Sequence, residues 1–283
     1  MGRSVIDKAI DPGRVGLSKS LMTGVCDRKS YYSETVRDAR GWRLPFVASE
    51  SILFGKAVDV AHGYVVEHIR DGWDYWMQDA VVAGLTAAQK DEEGWAALPN
   101  PEGLIAEVDK AMTKFDRAAT GLAALYPHIP GITIQGDNGE SWKVDDLVGT
   151  PDYGLLDGVL DVKTTKYQSG QWAYDAAAIT SKPEMPWYAY MYARRTGAIP
   201  DRLIYQTYVR TGGGFWQWNE VAGTSEIVEL GRLYAARARK MVALGDPDLI
   251  PFNTKWCGDC QFARPIPEIG FEGCAVGALM EVA

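Results

Sequence analysis

The sequence predicts an α/β chain of the α+β kind, with a mixed central sheet flanked by helices. Three observations carry this expectation. Apolar residues recur at helical spacing through most of the first 130 residues. From Ile132 the period shortens to the alternation of strands. Beyond that point strands and helices are interleaved, so both must share one core.

The elements follow in order. Residues 1–16 carry Gly, Pro and charge without period and predict no element. A helix is expected from Ser18, as its N-cap, to about Tyr32, with Leu21 and Val25 on its apolar side. Pro45 and Ser49-Glu50-Ser51 mark a loop. Ser49 or Ser51 then caps a helix through Gly55 to about Arg70, which Asp71-Gly72 ends. Further helices fill roughly 74–125, broken at Leu98-Pro99-Asn100-Pro101, and the last runs from Pro101 to Tyr126. Ile132–Gln135 and Trp142–Val144 flank Gly136-Asp137-Asn138-Gly139, which reads as a hairpin turn. A second hairpin has strands near Leu147–Asp152 and Val159–Thr164. A helix from about Met185 to Arg195 stops at Gly197, and Arg202–Arg210 alternates as a strand. Gly212-Gly213-Gly214 turns into Phe215–Asn219, and Ser225 caps a long helix to about Leu244. No helix bearing Lys-Ser/Thr follows the three glycines, which excludes a phosphate-binding P-loop there.

Composition bounds the function classes. The 283 residues are 47% apolar, enough for one large domain. No apolar run reaches the length of a membrane span, and the N-terminus has no apolar signal core, so a cytoplasmic protein is expected. A net charge of −8 argues against a broad basic nucleic-acid surface. It leaves room for a narrow, locally basic groove, or for a site whose positive charge comes from a metal.

The second hairpin carries the chemistry. Asp152, in Gly149-Thr150-Pro151-Asp152, stands nine residues before Asp161, which begins Asp161-Val162-Lys163. Alternate strand residues share a face, so Asp161 and Lys163 point the same way, and Asp152 on the neighbouring strand can meet them. Two converging carboxylates make a hard oxygen site suited to Mg²⁺ or Mn²⁺. A lysine beside such an ion can orient or deprotonate a water and balance charge on a phosphorane-like transition state.

The cysteines add a second constellation. Cys26 is alone near the N-terminus, whereas Cys257, Cys260 and Cys274 crowd the end of the chain. Four cysteines in a cytosolic chain point to metal rather than disulfides. Four thiolates suit Zn²⁺ or a [4Fe–4S] cluster, either of which would tie the two ends of the chain together.

Together these motifs resemble the RecB/AddB-like PD-(D/E)XK exonucleases with a cysteine-ligated iron–sulfur cluster, in the single-domain layout of phage-borne and CRISPR-associated members. Pro151-Asp152 with Asp161-Val162-Lys163 matches the nuclease motif. Leu17–Tyr32, with Cys26 at its centre, matches the N-terminal signature, although Asp27 stands where proline is usual. The resemblance implies a PD-(D/E)XK restriction-endonuclease-like core over 131–245, a mainly helical part over 18–130 and a cluster segment over 250–283 that packs with Cys26, all as one domain spanning 1–283.

It further implies that Asp152 and Asp161 bind Mg²⁺ or Mn²⁺ and that Lys163 is catalytic. Cys26, Cys257, Cys260 and Cys274 would bind a structural [4Fe–4S] cluster, with Zn²⁺ as the alternative. The family's early-helix histidine, in Gly-x-x-x-His, is replaced here by Asp59, and His62 lies one helical turn on; either can supply the ligand. Against the family's Gln-x-x-x-Tyr, Pro186-Trp187-Tyr188-Ala189-Tyr190 retains the tyrosine but not the glutamine. Tyr190, Lys166 and Arg28 are the expected DNA contacts. The expected activity is metal-dependent hydrolysis of DNA, single-stranded or at duplex ends, in recombination, repair or phage DNA processing. A recombination or CRISPR-type protein would be a partner. A second reading of the same residues is a non-catalytic DNA-binding accessory protein stapled by an iron–sulfur cluster or zinc.

Overall fold

The computed structural model describes residues 17–18, 48–117, 133–134, 142–170, 173–244, 267 and 274. The helix expected after Ser18 lies outside them, as do Cys26, Arg28, Cys257 and Cys260.

Strand β1 (Leu17–Ser18) comes first, then four helices: α1 (Glu50–Asp71), α2 (Met77–Gln89), α3 (Glu92–Ala96) and α4 (Pro101–Arg117). Helix α1 starts after Ser49 in extended conformation and stops at Gly72, whose φ of 72° is the left-handed cap that glycine allows. Its apolar side, Leu53, Phe54, Ala57, Val58, Ala61 and Val65, is fully buried. Helix α2 packs closely along it: a Cβ on Gly84 would stand 2.2 Å from the Ala57 carbonyl oxygen.

The strands β2 (Thr133–Ile134), β3 (Trp142–Val144), β4 (Leu147–Gly149), β5 (Tyr153–Gly154) and β6 (Gly158–Thr165) follow. Next come α5 (Ala176–Ser181), α6 (Glu184–Thr196), β7 (Arg202–Val209), β8 (Phe215–Ala222) and α7 (Ser225–Leu244). The main sheet has the order β2-β5-β6-β7-β8. It is mixed: β6 and β7 are parallel, joined across α5 and α6, and the other pairs are antiparallel. A smaller sheet has the order β1-β4-β3, with β1 parallel to β4.

Two pairings differ from those expected. β3 does not pair with β2; it turns at Asp145 (φ 55°) into β4, while β2 pairs with β5. The expected strand Leu147–Asp152 is divided: β4 joins the small sheet, and β5 alone partners β6. Thr150-Pro151-Asp152 forms the break, where Pro151 has no N–H to give a ladder. At the long C-terminal helix the cap is Thr224 rather than Ser225, its hydroxyl oxygen accepting from the Ile227 N–H.

The sheet separates two cores. Leu160, Val162, Ile204 and Tyr208 face α1, α2 and α4, whereas Val159, Leu203 and Tyr205 face α6 and α7. The period of two thus assigns every side chain of β6 and β7 to a layer, and interrupts each layer with a few polar groups. No helix among the described residues is long and apolar enough to cross a membrane.

Candidate active site

Strand β6 places Asp161 and Lys163 two residues apart on the α6 face. Asp161 is fully buried and its Oδ2 is ion-paired with Lys163 Nζ. Its Oδ1 is buried with no hydrogen-bond partner among the described residues. Asp152, immediately before β5, accepts at Oδ2 from the Val162 N–H at 2.7 Å. That bond fixes the carboxylate beside the backbone between Asp161 and Lys163. The hairpin motif read from sequence is therefore one cluster in space.

A third carboxylate joins it. Glu184, in the first turn of α6, is 9% exposed and stands 3.4 Å from Lys163 Nζ through Oε1. Burial alone would lower the Lys163 ammonium's pKa, but Asp161, Glu184 and Asp152 outweigh it and hold that pKa well above the usual lysine value. One turn along, the Tyr188 hydroxyl donates to the Thr150 carbonyl at 2.8 Å, securing the loop that presents Asp152. Tyr205, paired with Asp161 in the β6–β7 register, lies on the same face. Burial, then Glu184 and Asp161, push its hydroxyl well above the usual tyrosine pKa, so it stays protonated.

Sequence reasoning missed Glu184. Its signal was available as Glu184-x-x-x-Tyr188, a spacing that puts both on one helix face. The sequence reading placed the motif at Pro186 and Tyr190, two residues later on the same helix. Tyr190 lies on the α7 side of α6, where its Cβ would be 2.7 Å from a Cβ placed on Gly231. It is thus turned away from Lys163.

The two alternative residues of α1 separate clearly. Asp59 lines a pocket of about 260 Å³ with Gly63, Tyr64, Glu67, Asp152 and Tyr153, open beside the hairpin. His62 points into the core. Its Nε2–H donates to Gln206 Oε1 at 2.8 Å, and its Nδ1 accepts from the Tyr153 hydroxyl at 2.7 Å. The ring packs 4.6 Å from that of Phe115. Burial lowers its pKa to about 4 despite the Gln206 bond, so the imidazole is neutral and both nitrogens are engaged. Of the two, Asp59 lines the same pocket as Asp152, and His62 is a buried polar group of the core.

Among the described residues no three acidic, imidazole or thiol side chains gather closely enough to enclose an ion by themselves. The Asp152–Asp161 pair nevertheless fits Mg²⁺ or Mn²⁺. It offers hard carboxylate oxygens, one of which, Asp161 Oδ1, is buried without a hydrogen bond among the described residues, while Asp152 also lines the open pocket. Magnesium is commonly held by one or two carboxylates plus water and phosphate oxygens. Lys166, exposed beyond the end of β6, lowers the pKa of Glu50 at the start of α1, though less than Arg210 does. Cys274 is buried against the α6–α7 core.

No protein-family model matches this chain, and no curated protein does. A search of solved structures finds similarity to the crystal structure of a "Putative exonuclease" from Eubacterium rectale. The TM-score is 0.50 at 10% identity, over 94% of this chain and 95% of that one. The mixed α/β architecture of this chain is thus similar in fold to that protein over nearly its whole length.

Proposed function

We propose that this chain is a metal-dependent deoxyribonuclease of the RecB/AddB-like PD-(D/E)XK type, acting as an exonuclease. One observation carries the reading: Asp152, Asp161 and Lys163 cluster on one hairpin around a fully buried Asp161, one of whose carboxylate oxygens has no hydrogen bond among the described residues. The similarity in fold to the structure named an exonuclease supports it.

Asp152 and Asp161 would hold Mg²⁺ or Mn²⁺, with Asp59 contributing from the pocket side. A bound divalent ion supplies Lewis-acid polarisation of the phosphoryl oxygen and a more acidic water. The protein's own residues do the rest. The Val162 N–H orients Asp152, and Lys163, paired with Asp161 and Glu184, would position water and offset charge on the phosphorane-like transition state. When Asp161 is shared with a cation, Glu184 keeps Lys163 in place.

The cysteines extend the reading: Cys26, Cys257, Cys260 and Cys274 would bind a structural [4Fe–4S] cluster, with Zn²⁺ the alternative. The test is degradation of end-labelled single- and double-stranded DNA with Mg²⁺ or Mn²⁺, comparing wild type with Asp161→Asn. Metal-dependent shortening by the wild type alone supports the nuclease. DNA binding without cleavage, in protein carrying its full metal content, favours the non-catalytic accessory reading.

A further inference from the structure

Two carboxylates, Asp161 and Glu184, pair with Lys163, and a third, Asp152, is held by the Val162 N–H between Asp161 and Lys163 on β6. Such a site repels a phosphodiester unless cations face it, and beyond the divalent ion that the proposed function puts there a fixed side-chain cation would add to the attraction. The structure holds one in a fixed position. Lys182 Nζ lies 3.5 Å from the ring centroid of Tyr174, on whose ring Lys163 Nζ also lies, at 5.9 Å. Lys182 makes no ion pair among the described residues, in contrast to Arg194, Arg202, Arg210, Arg232 and Arg239, each paired with a carboxylate.

Both partners are held rigidly. Pro183 restricts Lys182 to extended backbone (φ −89°, ψ 143°), and the Lys182 N–H donates to the Ala178 carbonyl at 3.0 Å. The Tyr174 carbonyl accepts from Thr207 Oγ1 and Asn219 Nδ2, both at 3.0 Å, and its ring meets Tyr205 edge-on at 5.3 Å. Strands β7 and β8 therefore set where the ring stands, and the ring sets where the ammonium stands. A preorganised cation gives up little side-chain freedom on binding.

From this arrangement we propose that Lys182, seated on Tyr174, is the phosphate-binding residue of the site, taking the nucleic-acid phosphate adjacent to the one beside Lys163. The proposal rests on the nuclease reading for its substrate. It commits to a backbone contact, so it adds affinity without sequence preference.

The test measures binding of a labelled single-stranded oligonucleotide across a salt series, with wild type, Lys182→Met, Lys182→Arg and, as control, Lys90→Met on the exposed end of α2. Methionine keeps the stem on the ring and removes the charge. Lys182→Met is expected to weaken binding about fivefold near 0.1 M salt and to reduce the salt slope by about 0.7. KM should rise more than kcat falls, Lys182→Arg should restore the slope, and Lys90→Met should match the wild type. Equal affinity and slope in Lys182→Met and wild type would overturn the proposal while leaving the nuclease reading intact. If the wild type binds but cleaves nothing, the nuclease reading fails and the slopes still decide on Lys182. A wild type that binds no nucleic acid overturns both.

Discussion

At the scale of single residues, burial decides what each titratable group does. Asp161 and Lys163 are useful because they are removed from water together; either alone would be a costly buried charge. Asp161→Asn keeps the shape and removes the charge, so DNA hydrolysis should fall by at least about 100-fold. Lys163→Met should lose a similar factor and also some stability, since it leaves Asp161 buried without its cation. Circular dichroism and urea titration separate these effects, because Asp161→Asn should remain folded.

His62 makes the opposite case. Its folded pKa of about 4 lies below the ordinary 6.5, so between those values the unfolded chain binds a proton that the folded chain does not. Stability must therefore fall as pH falls through that window, by about 3 kcal/mol from pH 7 to pH 4. Urea unfolding at several pH values checks this, and His62→Gln should flatten that part of the profile. A wild type equally stable at pH 7 and pH 4 would remove the buried neutral imidazole from the account.

At the scale of elements, much was legible because periodicity is local. The ends of α1 and α6 were readable at Gly72 and Gly197, both of which adopt positive φ. The shared face of Asp161 and Lys163 followed from the period of two alone. The pairing of strands did not follow, because it depends on contacts distant in sequence: β2 with β5, β1 with β4. Glu184 escaped for a related reason. Its place beside Lys163 depends on where α6 crosses β6, which the sequence alone does not show.

That crossing is held by a close approach of α6 and α7. A Cβ on Gly231 would stand 1.9 Å from the Pro186 carbonyl oxygen. Gly231→Ala should therefore destabilise the chain by about 1–3 kcal/mol and, by shifting the helix that carries Glu184 and Tyr188, also reduce activity. Gly84→Ala, which separates α1 from α2, should cost comparable stability with less effect on turnover. Unfolding curves and kcat at a temperature where both remain folded distinguish the two.

At the scale of the whole molecule, a chain of net charge −8 would have to recruit DNA, its proposed substrate, through local charge. The account places that charge at a metal ion and at a few fixed side chains, so chelation with EDTA should abolish cleavage and added Mg²⁺ or Mn²⁺ should restore it. The proposed cluster joins sequence-distant cysteines, of which Cys274 is already buried against the α6–α7 core. Anaerobically purified protein should be brown, carry about four iron atoms per chain, and lose both colour and iron in Cys257→Ser. Colourless protein containing zinc would assign the thiolates to the alternative metal.

The central claim is that Asp152, Asp161 and Lys163 make one hydrolytic site. The most direct measurement is the fate of DNA labelled at one end, incubated with Mn²⁺ and either wild-type or Asp161→Asn protein matched in fold and metal content. The account predicts progressive shortening by the wild type and intact DNA with the variant. Equal cleavage by both proteins, or none by a fully metallated wild type, would contradict it.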